Sequence, residues 1–436
     1  MVIPESVRFC IRRLEDAGHR AYIVGGCVRD SLLGLTPQDY DMCTSALPEE
    51  TEALFRDCRL VLAGKKHGTI GVVTDSGVVE ITTFRTEGDY ADNRHPAWVA
   101  FVPEIAQDLA RRDFTVNAMA YSPIHGFADP FGGREDLKNG ILRAVGDPET
   151  RFREDSLRIL RGVRFSARYR LTPEPATLEA MVSLRGLMEN LARERVFDEL
   201  CKLLLHCDGD DLIRYAPILA AVIPELAPMI GFDQRSPHHA YDLFTHTARV
   251  TGAVPKDLTL RWAALLHDTG KITTFTTDET GRGHFYGHAK DSAAIADRVL
   301  RTLKAPTRLR EEAVNLISLH MTKLEPDRKV VRRWLGKLGP ETLDMLLTLQ
   351  QADMGSKGTG KEAEKAQFRQ LLAVVDQVKA EESCLKLKDL AVNGHDLADL
   401  GYSGPEIGAA LNRLLELVVD EQLPNTREAL LDTVRK

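Results

Sequence analysis

Asp39 and Asp41 flank Tyr40 in the stretch DYDMCT, whose apolar and β-branched residues read as a strand. A spacing of two places both carboxylates on one strand face. Two acids held side by side repel, and divalent cations are the usual remedy. Glu80, in GVVEITTF, falls on a separate expected strand and can supply a third oxygen ligand. Three carboxylates holding two Mg²⁺ would suit in-line nucleotidyl transfer, where one cation activates the attacking hydroxyl and the other the leaving oxygen. Taken alone, an Asp-x-Asp is more often an exposed strand edge.

The residues just before this pair shift that balance. AYIVGG (21–26) reads as a strand ending in a tight turn, and CVRDSLLG as a short helix closed by Gly34. Gly25 and Gly26 let backbone N–H groups approach an anion where the helix opens. Arg29, one turn in, adds a phosphate-seeking fork. Turn, arginine and acidic pair together make half of a triphosphate site.

A second constellation lies further on. Residues 151–170 hold seven arginines, against Glu154 and Asp155. Asp155, Arg158, Arg161 and Arg164 recur every three residues, which predicts one broad helical face. A charge run is usually a solvated face, but arginines at this spacing repel one another unless an anion lies among them. An Asp acceptor beside an Arg donor complements cytosine and adenine, each of which offers an exocyclic amine next to an acceptor nitrogen. Uracil and guanine present a carbonyl in place of the amine and would be rejected, at about 1–3 kcal/mol per contact.

Read together, the segments IVGGCVRDSLLG and QDYDMCT resemble the opening motif of class II tRNA nucleotidyltransferases and bacterial poly(A) polymerases, within the polymerase-β-like superfamily. RRDFTVNAMAY (111–121), DPFGGREDLKNGILRAVGDP (129–148) and EDSLRILRGVR (154–164) match later motifs in order. The resemblance covers roughly the first 215 residues. It implies an α+β chain: a polymerase-β-like head with a mixed sheet, followed by an all-α neck, body and tail. It implies Mg²⁺ on Asp39 and Asp41, and nucleotide contacts on Gly26, Arg29, Arg112, Asp155, Arg158, Arg161 and Arg164, with Gly25, Asp113 and Asn117 in the same set. The activity implied is template-independent addition of C, C and A to the 3′ end of tRNA from CTP and ATP, with release of pyrophosphate. KKHGTIGVV (65–73) resembles the CCA-adding form, and TEGDYADNRHP (86–96) fills a loop that CC-only enzymes lack. Poly(A) polymerase and CC- or A-adding enzymes are the alternatives.

The second half carries a different set. His246, the pair His267-Asp268, and Asp353 follow the order H…HD…D of the HD phosphohydrolase superfamily, which they resemble. His288 and His320 stand where related domains carry extra ligands. Imidazoles with carboxylates suit Mn²⁺, Ni²⁺ or another transition metal better than Mg²⁺. The competing readings are an inherited helical scaffold, or a chain that is chiefly a phosphohydrolase on nucleotide ends. GSKGTGKE (355–362) nearly spells a phosphate-binding P-loop, but Glu362 stands where the hydroxyl belongs and no strand precedes it.

The whole chain sets the limits. Its 436 residues exceed one core, and the expected division is head 1–142, neck 143–215, HD-type body 216–355 and tail 356–436. The net charge of −7 counts mildly against nucleic acid, so local basic stretches matter more. One of them, with Arg328, Lys329, Arg332 and Arg333, is a candidate for the RNA backbone. No apolar run is long enough to span a bilayer, and the amino-terminal stretch reads as an amphipathic helix, not a signal peptide. Seven scattered cysteines without a C-x-x-C pair point to the reducing cytoplasm. The partners expected are tRNA, ATP and CTP, with no obligate protein partner.

Overall fold

The computed structural model describes residues 1–75, 77–88, 99–236, 240–358, 362–381 and 385–435. They form two compact units, Met1–Cys207 with Arg214–Ala227, and Asp208–Ile213 with Pro228–Lys436.

In the first unit the strands are β1 (Ala21–Val24), β2 (Met42–Thr44), β3 (Leu60–Val61), β4 (Thr69–Thr74), β5 (Gly77–Thr83), β6 (Arg85–Glu87), β7 (Val99–Phe101), β8 (Ala120–Ser122) and β9 (Gly126–Ala128). Seven of them form one sheet in the order β3-β4-β5-β2-β1-β8-β9. The β2–β5 pair is parallel and its neighbours are antiparallel, so the sheet is mixed, as expected. All four residues of β1 are buried, which is why AYIV reads as a continuous apolar run and not as an alternation. Tyr22, Val24, Cys43, Phe84, Leu109, Ala118 and Ala120 make the core beneath it. Strands β6 and β7 pair separately. Most of the loop expected at 86–96 lies outside the described residues.

Two expectations are corrected by the chain path. Asp39 and Asp41 precede β2 instead of lying in it, because β2 begins at Met42. Asp41 is still anchored to the sheet, since its carbonyl accepts from the Val24 N–H at 3.0 Å. The arginine segment is broken. One helix runs Pro148–Glu154, capped by the Asp147 side chain on the Thr150 N–H. The next, the arginine helix, runs Leu157–Tyr169. Asp155 sits in the joint with extended backbone, φ −141° and ψ 101°. Arg158, Arg161 and Arg164 therefore share a helix that Asp155 does not join.

The arginine helix packs against the RRDF segment at Gly162, where a Cβ would lie 3.0 Å from the Phe114 ring and the Met181 methyl. A second helix, Arg193–Leu204, packs on it as well.

The second unit is helical apart from a two-residue strand pair, Thr276–Thr277 with Gly283–His284. Helices Leu243–Ala253, Leu258–Leu266, His288–Thr302, Thr307–Leu319 and Pro340–Gly355 pack around Trp262 and its neighbours. Two smaller apolar clusters follow, one from Leu324 to Val378 and one from Leu390 to Val434. Among the described residues no helix is long and apolar enough to cross a membrane.

Candidate functional site

Gly25 caps the helix Gly26–Leu32 with φ +76°, a backbone state that side chains disfavour. A Cβ there would also lie 2.9 Å from Nη1 of Arg112. The bare turn thus lets the Arg112 guanidinium lie against it. Arg112 is steadied from behind by Asp108, whose Oδ2 accepts from Nη2 at 3.3 Å. Burial would raise the Asp108 carboxyl, but Arg111 and Arg112 overcome it and hold the group below its ordinary value.

Arg29 turns inward. Its Nε and Nη2 donate to Asp30 Oδ1 at 2.9 and 2.7 Å, Nη2 donates to the Tyr169 hydroxyl at 2.5 Å, and Nη1 donates to Asn117 Oδ1. The guanidinium lies over the Tyr169 ring at 4.1 Å. Instead of extending a free fork toward phosphate, Arg29 ties the glycine turn to the arginine helix. The tie continues: Asn117 Nδ2 donates to Asp113 Oδ1 at 3.0 Å, and Arg161 Nε donates to Asp113 Oδ2 at 2.8 Å. Burial would raise Asp113, yet the Arg161 charge and the Asn117 bond hold it well below the usual carboxylate range.

The arginines are relieved of mutual repulsion by carboxylates of the protein itself. Arg158 meets Glu154 Oε2 at 2.6 Å and also donates to the carbonyls of Arg151 and Arg111 at 3.1 and 2.9 Å. Arg164 meets Glu199 Oε2 at 2.6 Å. Asp155 accepts the Leu157 N–H on Oδ1 at 3.1 Å and Arg195 Nη2 on Oδ2 at 2.8 Å. Glu199 and Arg195 were not among the residues singled out from sequence. Their only signal is an i, i+4 pair in RERVFDEL, the mark of any solvated helix face.

Asp39 and Asp41 are both exposed. Asp41 nevertheless has protein around much of its carboxyl. That partial burial raises it above its ordinary value, with Arg112 opposing and Asp39 adding to the rise. Glu80 on β5 is exposed, and the Met42–Ile81 register places it on the strand neighbouring Asp41. The oxygens of Asp39, Asp41 and Glu80 do not gather within 4.8 Å as a set.

In the second unit all six HD-type residues converge. His246 Nε2 is 3.0 Å from Asp353 Oδ1. Asp268 divides its oxygens: Oδ2 faces His246 and His267 at 3.5 and 3.3 Å, while Oδ1 faces His288 and His320 at 3.4 and 3.9 Å. The rings are oriented by the backbone, since Nδ1 of His267, His288 and His320 lies 2.7, 2.8 and 2.6 Å from the carbonyls of Ala264, Phe285 and Ile317. A proton on Nδ1 leaves Nε2 of His267 as an inward lone pair, while Nε2 of His288 and Nε2 of His320 face each other at 3.2 Å. Nε2 of His267 is buried without a hydrogen bond. Burial and the nearby His267 push His320 down to about 4, so it is a neutral imidazole at pH 7. Burial alone would raise Asp268 and Asp353, but His267 and Lys271 for the first, and His246 and Lys357 for the second, hold both well below the ordinary range. The cluster opens into a cavity of about 710 Å³ that also receives Lys271, Lys323 and Lys357.

The basic stretch is largely occupied. Arg332 is buried, where a surface contact with RNA was expected, and donates to the Val419 and Val418 carbonyls at 2.9 and 3.1 Å, closing the helix Pro405–Val419. Arg328 pairs with Glu381 at 2.7 Å and Arg333 with Asp420 at 2.5 Å. Lys329 is exposed. The near P-loop follows the helix Pro340–Gly355, not a strand, and residues 359–361 of it lie outside the described residues.

With this geometry in place, the likeness to known proteins is specific. The family described as "Poly A polymerase head domain" matches residues 21–143, "Probable RNA and SrmB- binding site of polymerase A" matches 170–230, and "tRNA nucleotidyltransferase domain 2 putative" matches 274–434. The CCA-adding enzyme of Levilactobacillus brevis is 34% identical over 431 residues, 99% of this chain and 97% of the relative. That of Bacillus velezensis is 32% identical over 96% of this chain and 94% of the relative. The crystal structure of the Bacillus stearothermophilus CCA-adding enzyme in complex with CTP is 28% identical, with a TM-score of 0.68 over 100% of this chain and 98% of that one. The chain belongs to the CCA-adding enzymes, the class II tRNA nucleotidyltransferases.

Proposed function

We propose that this chain completes the 3′ end of tRNA, adding C, C and then A from CTP and ATP without a template. The observation that carries it is that one compact unit holds the Gly25–Gly26 turn with Arg112, the Asp39–Asp41 pair, and the Asp155–Arg158 pair. The tRNA 3′-hydroxyl loses its proton to solvent and attacks the α-phosphorus, the new O–P bond forms, the bond to the β-phosphate bridging oxygen breaks, and pyrophosphate leaves. Asp39 and Asp41 fit Mg²⁺: two adjacent carboxylates, one of them raised by burial and by the other, form a hard oxygen donor set. Bound there, Mg²⁺ would lower the cost of ionising the hydroxyl and of the charge growing on the leaving oxygen. The Gly26 and Cys27 N–H groups and Arg112 cradle the triphosphate, the Gly25 N–H being held by the Met119 carbonyl at 3.0 Å. Arg29 and Asp113–Asn117 brace that cradle, and Asp155 with Arg158 reads the amine and acceptor of C or A. The scattered cysteines without a C-x-x-C pair support a reducing cytoplasm as the compartment. To test the assignment, tRNA ending before CCA is incubated with CTP and ATP, separately and together, and product ends are sequenced. CC with CTP alone and CCA with both is expected. Runs of A would move the chain to the poly(A) polymerases, and stalling at CC to the partial enzymes.

The histidine cluster supports a second site, a transition-metal centre of HD type, with His246, His267, Asp268 and Asp353 as ligands and His288 and His320 on the other oxygen of Asp268. The fit rests on the inward Nε2 atoms and on the unbonded Nε2 of His267. Lys271 and Lys357 pair with the carboxylates of Asp268 and Asp353 at 2.8 and 2.9 Å, while Lys323 at the cavity suits a phosphate substrate, and hydrolysis at nucleotide ends is the chemistry this arrangement allows. Protein incubated with Mn²⁺ or Ni²⁺ and desalted is expected to retain metal by elemental analysis, and Asp268→Ala to lose it while still adding CCA. Wild type that retains none leaves the cluster as scaffold.

A further inference from the structure

We infer that Arg195 is a positioning residue for base choice, because it fixes the carboxylate with which Asp155 meets the incoming base. The inference rests on the assignment of Asp155 as base acceptor.

Asp155 lies in the non-helical joint between two helices, so no helix dictates where its side chain points. Two contacts do. The Leu157 N–H on Oδ1 is local and restrains only the near end. Arg195, forty residues away in sequence and on the helix Arg193–Leu204, holds Oδ2 at 2.8 Å. Both side chains are mostly covered, 24% exposed for Arg195 and 17% for Asp155, so the contact is sheltered from the screening that weakens exposed pairs. The same helix is itself locked in place one turn on, where Glu199 holds Arg164 at 2.6 Å. The direction of the acceptor is thus taken from a second, braced helix.

Each oxygen of Asp155 accepts one donor from the protein and keeps a lone pair for another. A base amine can use it. A uracil or guanine carbonyl meets an oxygen that cannot swing aside, and this immobility is what makes the rejection strong. Without Arg195 the carboxylate can rotate away from the carbonyl, and the wrong bases are admitted.

The test is kcat/KM for CTP, UTP, ATP and GTP on tRNA lacking its missing terminus, with melting temperature as the control for folding. In Arg195→Ala the C:U and A:G ratios are expected to fall by about tenfold, the size of one lost hydrogen bond to a charged group, and Arg195→Lys should restore part of the fall. In an Asp155→Ala background, Arg195→Ala should change the ratios no further, since both act through one contact. Should the Ala variant fail to fold, Arg195→Gln, closer in shape, is expected to shift the ratios in the same direction. A common loss for all four nucleotides with unchanged ratios overturns the inference and leaves Arg195 a brace. Unchanged ratios in Asp155→Ala itself would instead remove the base assignment, and this inference with it.

Discussion

Asp41→Ala is expected to lower nucleotide addition by roughly a thousandfold or more, the scale of losing a cation that stabilises the transition state by several kcal/mol. The fold should survive the change. What ties Asp41 to the sheet is its main-chain carbonyl, on the Val24 N–H, and alanine keeps that bond. The lost carboxylate is exposed, and what it gives up is a through-space attraction to Arg112 set against burial and the repulsion of Asp39, so its removal should cost the fold little. Asp39→Ala should behave alike. Binding of CTP and of tRNA, followed by fluorescence or filter retention, should remain close to wild type, because the turn, Arg112 and the arginine helix are untouched. If both single variants still add nucleotides at ordinary Mg²⁺, the acidic pair is not the metal site. Glu80→Ala should cost less, since Glu80 stands on β5 apart from the Asp39–Asp41 stretch and the three carboxylates do not gather as one set.

Asp155→Ala should shift base choice by about 1–3 kcal/mol, roughly five- to 150-fold in the C:U and A:G ratios, through gain of UTP and GTP as well as loss of CTP and ATP. Arg158→Ala should weaken CTP and ATP together. Of the two variants, Asp155→Ala separates the effects more cleanly. Arg158 also holds Glu154 and the Arg151 and Arg111 carbonyls, so its removal strands half-buried acceptors and should lower the melting temperature too. Asp155 sits at a joint with two contacts, one of them to its own turn. Measured as kcat/KM for each nucleotide, unchanged ratios in Asp155→Ala would show that this region binds phosphate and does not read bases.

The residues that announce chemistry were legible because their types are local. A glycine pair after an apolar run, an Asp-x-Asp and an H…HD…D order carry their meaning within a few positions, and the structure gathers them in two places. Boundaries were less legible. DYDMCT alternates as a strand does, but where a strand begins depends on the partner that pairs with it, and β1 and β5 take up β2 from Met42 onward. The joint at Asp155 has no Gly or Pro to mark it; the available sign was Ser156, a residue type common where helices begin. Long-range pairing could not be read at all. Arg332 belongs to a basic run, yet its acceptors lie 86 and 87 residues later. Arg195 and Glu199 look like surface charges until the helix that carries them is laid on the arginine helix.

Seven arginines in twenty residues look like an anion sink, and in the folded chain five of them are drawn to carboxylates of the protein. Arg151, Arg153, Arg158, Arg161 and Arg164 each face a carboxylate of the protein. An uncompensated guanidinium among the base-reading groups would draw in the most charged part of any nucleotide and seat it backwards, phosphates where the base belongs. Under the proposed assignment of Asp155 and Arg158 to the base, this partial neutralisation makes the inverted pose less rewarding and gives hydrogen-bond geometry more weight in what enters. The proposed base pocket is thus partly quieted by Glu149, Glu154, Asp113 and Glu199, and under the same proposal the stronger pull on the triphosphate falls to Arg112 beside the glycine turn.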